Sequence, residues 1–402
     1  MDRPLAGIRV LSMEQAAALP FATRHLADLG AEVIRVESHG RARPSSLSES
    51  DLLRNKRRVG IDLGAPGGPE VFRRLAAEVD VVAHNFTPRV MRKYGIDFPS
   101  IRQVNPDVVY VSITGFGTTG PWGERPLFGP GAEAVSGHNL MIGEADAWPG
   151  RPGTIVYADN NTGLNAAFAI LAALDHRDAT GEAVHIDLSL YEASIAHMGV
   201  AVTERAFGAP LPTRIGNADP RDAVHGVFAT RAHDRHVAIA ASEADLPALA
   251  RVLGLTSTEV DAVRAAVAER EAEDVAEALQ AAGVPAHVVA DAADVSQDAH
   301  LWARGFFGVL PGGGPHAGPA FGGGADLEMA PPHRLGEDNE HVLTRIAGLT
   351  AEEVEAARAA GAIGEGPQGL ERPRPADSEV RIERGELSRV DEVHDGWRRV
   401  MG

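Results

Sequence analysis

The chain of 402 residues carries 38 Lys and Arg against 56 Asp and Glu, a formal net charge of -18, and no Cys. This charge repels polyanions, so a nucleic-acid partner is not expected. The absence of Cys excludes disulfides, thiol catalysis and Cys-ligated metals. Because one hydrophobic core rarely grows beyond roughly 250–300 residues, the length predicts two domains.

Nothing in the sequence indicates export or a membrane. Asp2 and Glu14 interrupt the apolar residues near the N-terminus, where a signal peptide would need an uninterrupted apolar run. No apolar run approaches the ~18 residues that a spanning helix requires. We therefore expect a cytoplasmic protein without a membrane partner.

The first half of the chain alternates between strand and helix patterns. Five short apolar runs predict buried strands, at residues 8–11, 31–36, 59–63, 79–83 and 108–113. Amphipathic patterns at 21–29 and 69–78 predict helices between them. Strands separated by single helices predict parallel pairing and a doubly wound α/β sheet.

The second half predicts a smaller domain. Residues 190–207 predict a long helix, and the Gly- and Pro-rich residues 208–220 predict a linker. Alternating apolar residues at 225–230 and 236–240 predict a hairpin that opens an α+β domain. A helix predicted at 339–348 is expected to pack back on the first domain.

One carboxylate, Asp159, stands out by its position. It follows residues 154–157, which predict the end of a strand, and it precedes a predicted helix that starts at Asn160. The apolar residues of that helix recur at helical spacing, at Leu164, Ala167, Phe168, Leu171 and Leu174. At a strand-to-helix turn, unpaired N–H groups and the helix dipole favour the ionised carboxylate. The local pattern predicts either a nucleophile or an ordinary helix N-cap.

Other polar and glycine residues also follow predicted strands. Asn85, Phe86 and Gly115 come after strand ends, as Asp159 does. Ligands of doubly wound sheets collect where the carboxyl ends of the strands meet. We therefore expect these four residues to lie together.

Two motifs are open to more than one interpretation. GFGTTG at residues 115–120 has the spacing of a dinucleotide fingerprint, but PWGERP at 121–126 cannot form the helix that must follow, so no nicotinamide is expected. Its glycines still allow backbone to approach another ligand. The basic run 55–58 is either a solvated cluster or a phosphate contact. The His residues show no metal-binding spacing, so no metal is expected.

The order of the segments resembles that of the class III coenzyme A transferases, the CaiB/BaiF family, which includes formyl-CoA:oxalate and carnitine CoA-transferases. The resemblance runs from Pro4 to Ile363. Its segments are PLAGIRVLSMEQAAALPFATRHLADLGAEVIRVE, NKRRVGIDL, VDVVAHNFTPRVMRKYG, VNPDVVYVSITGFGTTGPW, YADNNTG, ILAALDHRDATGEAVHIDLSLYEA, RIGNADPRDAVHGVF, GVPAHVV and PPHRLGEDNEHVL.

The resemblance implies an architecture. It predicts an open Rossmann-like large domain over residues 1–207, completed by 325–365, and a small α+β domain inserted at 221–311. Linkers are then expected at 208–220 and 312–324, and a C-terminal arm at 366–402. It also implies a homodimer whose two chains interlock.

The resemblance further implies an activity, the transfer of CoA from an acyl-CoA to a carboxylic acid. It assigns Asp159 as the nucleophile, which forms a mixed anhydride and then an aspartyl-CoA thioester. It places CoA contacts at Ala16, Ala17, Asn85, Phe86 and Lys93. No metal or nicotinamide takes part.

The sequence departs from the family pattern at two basic positions, which hold Ser38 and Gly64. We therefore expect Arg41, Arg43 or Lys56 to supply the missing phosphate contact. The backbone of Gly115 and Gly117 is a further candidate for CoA binding.

Two alternatives remain at this stage. An α-methylacyl-CoA racemase of the same fold would need a catalytic His upstream of the Asp, where this chain has Phe128, and His138 lies beyond that position. A non-catalytic CoA-binding dimer is the second alternative. Retention of Asp159 in the DNNTG turn favours the transferase over both.

Overall fold

The computed structural model describes residues 3–41, 45–151, 156–210, 214–310, 314–318, 329–366, 370–371, 382–383 and 396–400. The chain divides into two compact units. The first contains Met1–His138, Pro152–Pro210 and Ala303–Pro373, and the second contains Asn139–Arg151, Leu211–Trp302 and Arg374–Gly402.

Strands and helices alternate along the first half of the chain, as predicted. The elements in chain order are β1 (Arg9–Met13), α1 (Ala18–Asp28), β2 (Glu32–Glu37), β3 (Ser45–Ser46), α2 (Leu47–Leu53), β4 (Lys56–Gly60), α3 (Gly68–Ala76), β5 (Val81–His84), α4 (Pro88–Tyr94), α5 (Phe98–Ile101), β6 (Val109–Thr114), α6 (Gly129–Val135), α7 (His138–Met141), α8 (Tyr157–Thr180), β7 (Val184–Ser189), α9 (Leu190–Ala196) and α10 (Gly199–Ala206).

Six of these strands form one sheet in the order β4-β2-β1-β5-β6-β7. Every neighbouring pair is parallel, which confirms the predicted parallel sheet. The strand order is that of a dinucleotide-binding Rossmann sheet, and it reverses between β1 and β5. Such a reversal opens a crevice at the carboxyl ends of the two central strands.

Both faces of the sheet are covered, because successive residues of its buried strands point to opposite sides. On one face, Leu11 and Ile34 pack with Phe72 of α3. On the other face, Val10 packs with Leu26 of α1 and Ile170 of α8. Because both faces of each strand are buried, the strands are continuous apolar runs in the sequence and do not alternate between apolar and polar residues.

The second unit is built on a small antiparallel sheet. Its main elements are β8 (Val224–Ala229), β9 (His236–Ala241), α11 (Leu246–Leu253), α12 (Val260–Ala268), α13 (Ala272–Ala281), β10 (Ala286–Val288) and α14 (Ala292–Ser296). Strands β8 and β9 form the predicted hairpin, with Val224 opposite Ala241. The sheet order is β10-β9-β8, and Phe228, Val237 and Leu279 belong to its core.

The chain returns to the first unit at Ala303, and its residues from Arg374 onward belong to the second unit. The remaining elements are α15 (Ala299–Ala303), β11 (Phe307–Val309), β12 (Pro315–Ala317), α16 (Asn339–His341) with a π-helical turn at Val342–Ile346, α17 (Ala351–Ala359), β13 (Leu370–Glu371) and a 3-10 turn at Gly396–Arg399. The Asn339 side chain accepts a hydrogen bond from Gly60 N at 2.9 Å and donates to Gly364 O at 2.9 Å. Val342 and Leu343 enter the sheet core, so the predicted helix at 339–348 does pack on the first unit.

Two local predictions are wrong. The helix predicted at 190–207 is two helices, α9 and α10, because the chain turns at His197 and Met198 before Gly199. Residues 156 and 157 are not in a strand, since α8 begins at Tyr157, and residues 154–155 lie outside the described part. Most of the predicted C-terminal arm also lies outside it. None of the described helices combines the length and apolarity needed to cross a membrane.

Candidate active site

A cavity of about 210 Å³ lies where β1, β5 and β6 end, at the reversal of the strand order. Ala16, Asn85, Phe86, Gly115 and Asp159 line it. Asn85, Phe86 and Gly115 follow β5 and β6 and meet at this edge of the sheet, as predicted. Asp159 also lines the cavity, but it lies in the first turn of α8. The cavity is smaller than the ~300–1,000 Å³ of sites for drug-sized ligands, so it fits one end of an acyl-CoA and not the whole molecule.

Ala17, Gly117 and Lys93 do not line this cavity. Ala17 immediately precedes α1. Gly117 has a φ of 87° and lies near the Asp187 carboxylate. The Lys93 ammonium lies 3.3 Å from the Tyr94 hydroxyl, at the exposed end of α4. None of these three residues therefore belongs to the described lining that contains Asp159, although Ala17 stands between two lining residues, Ala16 and Ala18.

The structure places Lys56 in the interior, away from the cavity lining. Its ammonium is 3.0 and 3.2 Å from the Glu14 carboxylate oxygens, and it donates to Thr23 Oγ1 at 2.7 Å and Pro20 O at 2.9 Å. Both charged side chains are fully buried. Lys56 therefore anchors β4 to the segment that leads from β1 into α1.

The next two residues of the basic run, Arg57 and Arg58, also form ion pairs within the chain. Arg57 contacts Glu32 and Asp338, and Arg58 contacts Glu37. At Gly64, one of the two positions where the basic residue of the family is missing, the backbone N–H donates to Asp62 at 2.8 Å. Arg43 and the side chain of Arg41 lie outside the described residues.

Asp159 is the third residue of α8, one turn deeper in the helix than the sequence predicted. Among the described residues its carboxylate has no hydrogen-bond partner, and no side chain caps the start of α8. The N-cap interpretation of Asp159 is therefore not supported. The side chain is 6% exposed and lines the cavity. The carboxylate is therefore nearly buried, and its oxygens accept no hydrogen bond from the described residues.

The electrostatic setting of Asp159 also differs from the prediction. Burial, and after it the nearby Glu133 carboxylate, raise the pKa of Asp159 from 3.8 to about 6. The expectation that the helix start would favour the ionised form is wrong in its net direction. At pH 7 the group is still mostly ionised, and it is more basic than an ordinary Asp.

Helix α6 brings Glu133 to this place. Gly129 opens α6 against Asp159, because a Cβ built on Gly129 would lie 2.8 Å from Asp159 Oδ2 and 2.1 Å from a methyl carbon of Val156. Only glycine allows this approach. One turn later on the same helix, the fully buried Glu133 accepts a hydrogen bond from Ala158 N at 3.4 Å.

Asn85 shapes the opposite side of the cavity. Its side chain accepts from Gln15 N at 2.8 Å and donates to Gln15 O at 2.6 Å. These two bonds hold the loop after β1, where Ala16 adopts a positive φ of 52° that is costly for a residue with a Cβ. Asn85 is thus placed to position the loop that faces the ligand.

Beneath Phe86, a chain of polar side chains fixes the end of β5. Phe86 N donates to His84 Nδ1 at 3.3 Å, and His84 Nε2 lies 2.9 Å from Ser112 Oγ. Burial, followed by the effect of His185, lowers the pKa of His84 to about 3. His84 is therefore neutral at physiological pH and serves as an acceptor for the Phe86 backbone.

A model of CoA-transferase family III matches residues 5–339 of this chain. The chain belongs to CoA-transferase family III. The resemblance drawn from the ordered segments and the predicted enzyme class, a CoA-transferase, are both confirmed by this match.

Relatives of known activity and structure agree with the family. The succinyl-CoA–L-malate CoA-transferase beta subunit of Chloroflexus aurantiacus is 32% identical over 393 residues, which cover 87% of this chain and 96% of the relative. The succinate–glutarate CoA-transferase of Agrobacterium fabrum is 36% identical over 244 residues, covering 56% and 61%. A crystal structure of a CaiB/BaiF family protein from Brucella suis matches with a TM-score of 0.78 and 28% identity, over 86% of this chain and all of that one.

A racemase would need a second acid or base at the position that Phe128 occupies in this CoA-transferase. Phe128 lines the cavity, and its side chain cannot transfer a proton. No His belongs to the described lining. His138 instead contacts Ser136 Oγ at 3.0 Å and lies beside the Tyr157 ring. Among the described residues of the lining, Asp159 is therefore the one ionisable side chain, and it is not one of a pair.

Sequence reasoning missed three residues of this site, Gly129, Glu133 and Gln15. GPGAEAV carries no recognisable motif, and a single Glu in such a helix is usually solvated. Only the packing of α6 on α8 shows that Glu133 is buried. Among the described residues, no three His, Asp or Glu side chains are grouped to hold a metal ion.

Proposed function

We propose that this CoA-transferase moves CoA from an acyl-CoA to a dicarboxylic acid, with Asp159 as the covalent nucleophile. The observation that supports this most directly is the state of Asp159, a nearly buried carboxylate that accepts no hydrogen bond from any described residue and faces a cavity at the reversal of the strand order. A carboxylate in this setting is poorly solvated and more basic than usual, and both properties favour attack on a carbonyl carbon.

The proposed reaction exchanges one thioester for another. An Asp159 oxygen adds to the acyl carbonyl, and the C–S bond breaks to give a mixed anhydride and CoA thiolate. The thiolate then attacks the Asp159 carbonyl carbon, which releases the first carboxylic acid and leaves an aspartyl-CoA thioester. The acceptor carboxylate repeats both steps in reverse order and regenerates the Asp159 carboxylate. No energy source is consumed, because every step conserves one activated acyl bond.

The site accommodates the acyl end of the substrate. Apolar side chains such as Phe86, Leu127 and Leu190 exclude water from the anhydride, which water would otherwise hydrolyse. We propose that Ala16 and Gly115 approach the thioester through their backbone. The cavity is too small for the nucleotide, so we propose that Ala17, Gly117 and Lys93 contact CoA outside it.

The substrate class comes from the relatives. The Chloroflexus and Agrobacterium enzymes are named for succinate, malate and glutarate, which are all dicarboxylic acids. We propose the same class for donor and acceptor here. Purified protein incubated with succinyl-CoA and malate or glutarate should yield the corresponding new acyl-CoA by mass spectrometry. Monocarboxylates such as acetate are the matched control, and transfer to acetate alone would contradict the proposed class.

We also propose that the enzyme is a homodimer. Helix α8 exposes a stripe of large apolar side chains at helical spacing, Leu164, Phe168 and Leu171, which are 53%, 74% and 37% exposed in the single chain. Exposed apolar stripes of this kind mark protein interfaces. A second copy of the chain is the occupant that the family resemblance predicts, and α8 also carries Asp159.

Light scattering should therefore give a concentration-independent mass of twice the 42.3 kDa chain. Phe168→Asp is expected to shift the mass toward one chain, because a charge would be buried in an apolar contact. Val104→Asp changes an exposed apolar residue outside the stripe and should leave the mass unchanged. A monomeric wild-type protein with native circular dichroism would contradict the dimer.

A further inference from the structure

The first turns of α8 carry a second polar side chain close to the proposed nucleophile. Asn161 lies two residues after Asp159 and is 8% exposed. Its amide nitrogen donates to Ala193 O of α9 at 3.1 Å, and its amide oxygen lies 2.6 Å from Nε2 of His197, the C-cap of α9. The same oxygen accepts from Asn165 Nδ2 at 3.0 Å. Asn161 therefore joins the start of α8 to α9, and the proposed reaction gives it no part.

The contacts of Asn161 assign the tautomer of His197. The Asn161 nitrogen is the donor to Ala193 O, so the Asn161 oxygen faces the imidazole, and His197 Nε2 carries the proton that is donated. His197 Nδ1 lies 3.5 Å from the Tyr157 hydroxyl, and the two rings pack edge to face with centroids 5.8 Å apart. Tyr157 and Asn161 are one helical turn apart. One imidazole thus contacts α8 at residues on both sides of Asp159 in the sequence.

The other end of α9 forms part of the cavity. Leu190, the first residue of α9, lines the cavity together with Asp159. Ser189 Oγ donates to Gly115 O at 3.3 Å, and Tyr191 N donates to the same oxygen at 3.1 Å. Gly115 also belongs to the lining. Helix α9 therefore connects a wall of the cavity to the helix that carries the proposed nucleophile.

Resting on the proposed nucleophile, we infer that Asn161 and His197 are positioning residues, which hold Asp159 at the distance from the cavity wall at which it attacks the acyl carbonyl. No described residue donates a hydrogen bond to the Asp159 carboxylate, so the position of α8 decides where its oxygens lie. A shift of about 1 Å at a reacting atom can cost about a hundredfold in rate. The bonds from Asn161 to Ala193 and His197 restrain α8 against such a shift.

Replacements of His197 test the inference at a single hydrogen bond. A Gln side chain can place its amide nitrogen where His197 Nε2 lies, whereas the shorter Asn side chain places its nitrogen near the Nδ1 position and does not reach Asn161. We expect kcat for transfer from succinyl-CoA to fall about tenfold in His197→Asn and to stay within about twofold of the wild type in His197→Gln. KM for succinyl-CoA should change less than kcat in both variants, because the lining of the cavity is intact.

A double-mutant cycle determines whether His197 acts through Asn161. Asn161→Ala should also lower kcat about tenfold, and adding His197→Asn to it should change kcat little further, because the shared bond is already lost. Asn165→Ala is the matched control. It removes a bond to the same amide oxygen but none to α9, so it should leave kcat unchanged. Additive losses in the cycle, or equal rates in His197→Asn and His197→Gln, would overturn the inference.

Hydrogen exchange gives a readout that does not depend on activity. The amides of residues 161–166 donate to carbonyls of the first turns of α8. They should exchange faster in His197→Asn than in the wild type, and His197→Gln should restore the slow exchange. Unchanged exchange in His197→Asn would overturn the inference even where kcat falls.

Two further outcomes are distinct from these. Light scattering of each His197 variant should give the mass of the wild type, and a changed mass would overturn the inference by showing that His197 acts through assembly. Absence of any Asp159 adduct in the wild type with succinyl-CoA would instead reject the proposed nucleophile, whatever the exchange of α8 shows.

Discussion

Asp159→Asn is expected to abolish CoA transfer while leaving the protein folded and more stable at neutral pH. An amide cannot attack a thioester, so exchange of labelled CoA should fall by at least about a thousandfold, as for other enzymes that lose a covalent nucleophile. Hydroxylamine should trap the acylated wild type as an Asp159 hydroxamate and should trap nothing at this position in the variant.

The gain in stability follows from the pKa of Asp159. Because burial and Glu133 raise this pKa from 3.8 to about 6, the folded protein holds the proton more tightly than the unfolded chain does. Ionisation at pH 7 therefore destabilises the fold, by on the order of 3 kcal/mol. The neutral Asn avoids this cost, so the variant should be more stable at pH 7, and the difference should vanish below about pH 4.

Asp175→Asn is the matched control, since Asp175 lies on the same helix but is exposed. It should affect neither transfer nor the pH dependence of stability. An Asp159→Asn enzyme that still exchanges CoA at nearly the wild-type rate would contradict the mechanism. An Asn variant that is less stable at pH 7 would instead show that the carboxylate has a favourable partner in the folded protein.

The fold could be predicted from the sequence because its signals are local. The run predicted as a strand at 108–113 is β6 at Val109–Thr114, and the other central strands agree within a few residues. Parallel strands also bring their carboxyl ends to one edge, so the meeting of Asn85 and Gly115 could be predicted from strand order. Asp159 lies in the first turn of α8, so its place beside them depends on how α8 packs.

Other parts of the site depend on contacts between residues that are distant in the sequence, and a local sequence pattern does not predict such contacts. Tyr157 favours a strand by propensity, yet packing of α8 against α1 extends the helix through it. A Cβ on Gly163 would lie 2.6 Å from Ala18 O, which shows how close the two helices are. Lys56 belongs to a basic run that resembles a solvated cluster, and its partner Glu14 is 42 residues away in the chain. Burial of Glu133 likewise depends on a partner helix.

Lys56→Met is expected to destabilise the protein by about 3–5 kcal/mol, the usual cost of removing one partner of a buried ion pair. The variant leaves Glu14 buried without its principal cation. Burial alone would raise the pKa of Glu14, but Lys56 and Arg35 hold it below the ordinary value. Arg35, at 3.3 Å from Glu14, compensates part of the lost charge and keeps the expected cost at the lower end of that range.

The matched control is Lys93→Met, which removes an exposed ammonium and should change the free energy of unfolding by less than about 1 kcal/mol. Adding Glu14→Gln to Lys56→Met should restore part of the stability, because the uncompensated charge disappears. Glu14 directly precedes the Gln15–Ala16 loop of the cavity, so Lys56→Met should also weaken acyl-CoA binding in calorimetry at a temperature where the variant is folded. Equal stability of Lys56→Met and Lys93→Met would show that Lys56 is solvated, and Lys56 would then be free to contact a CoA phosphate.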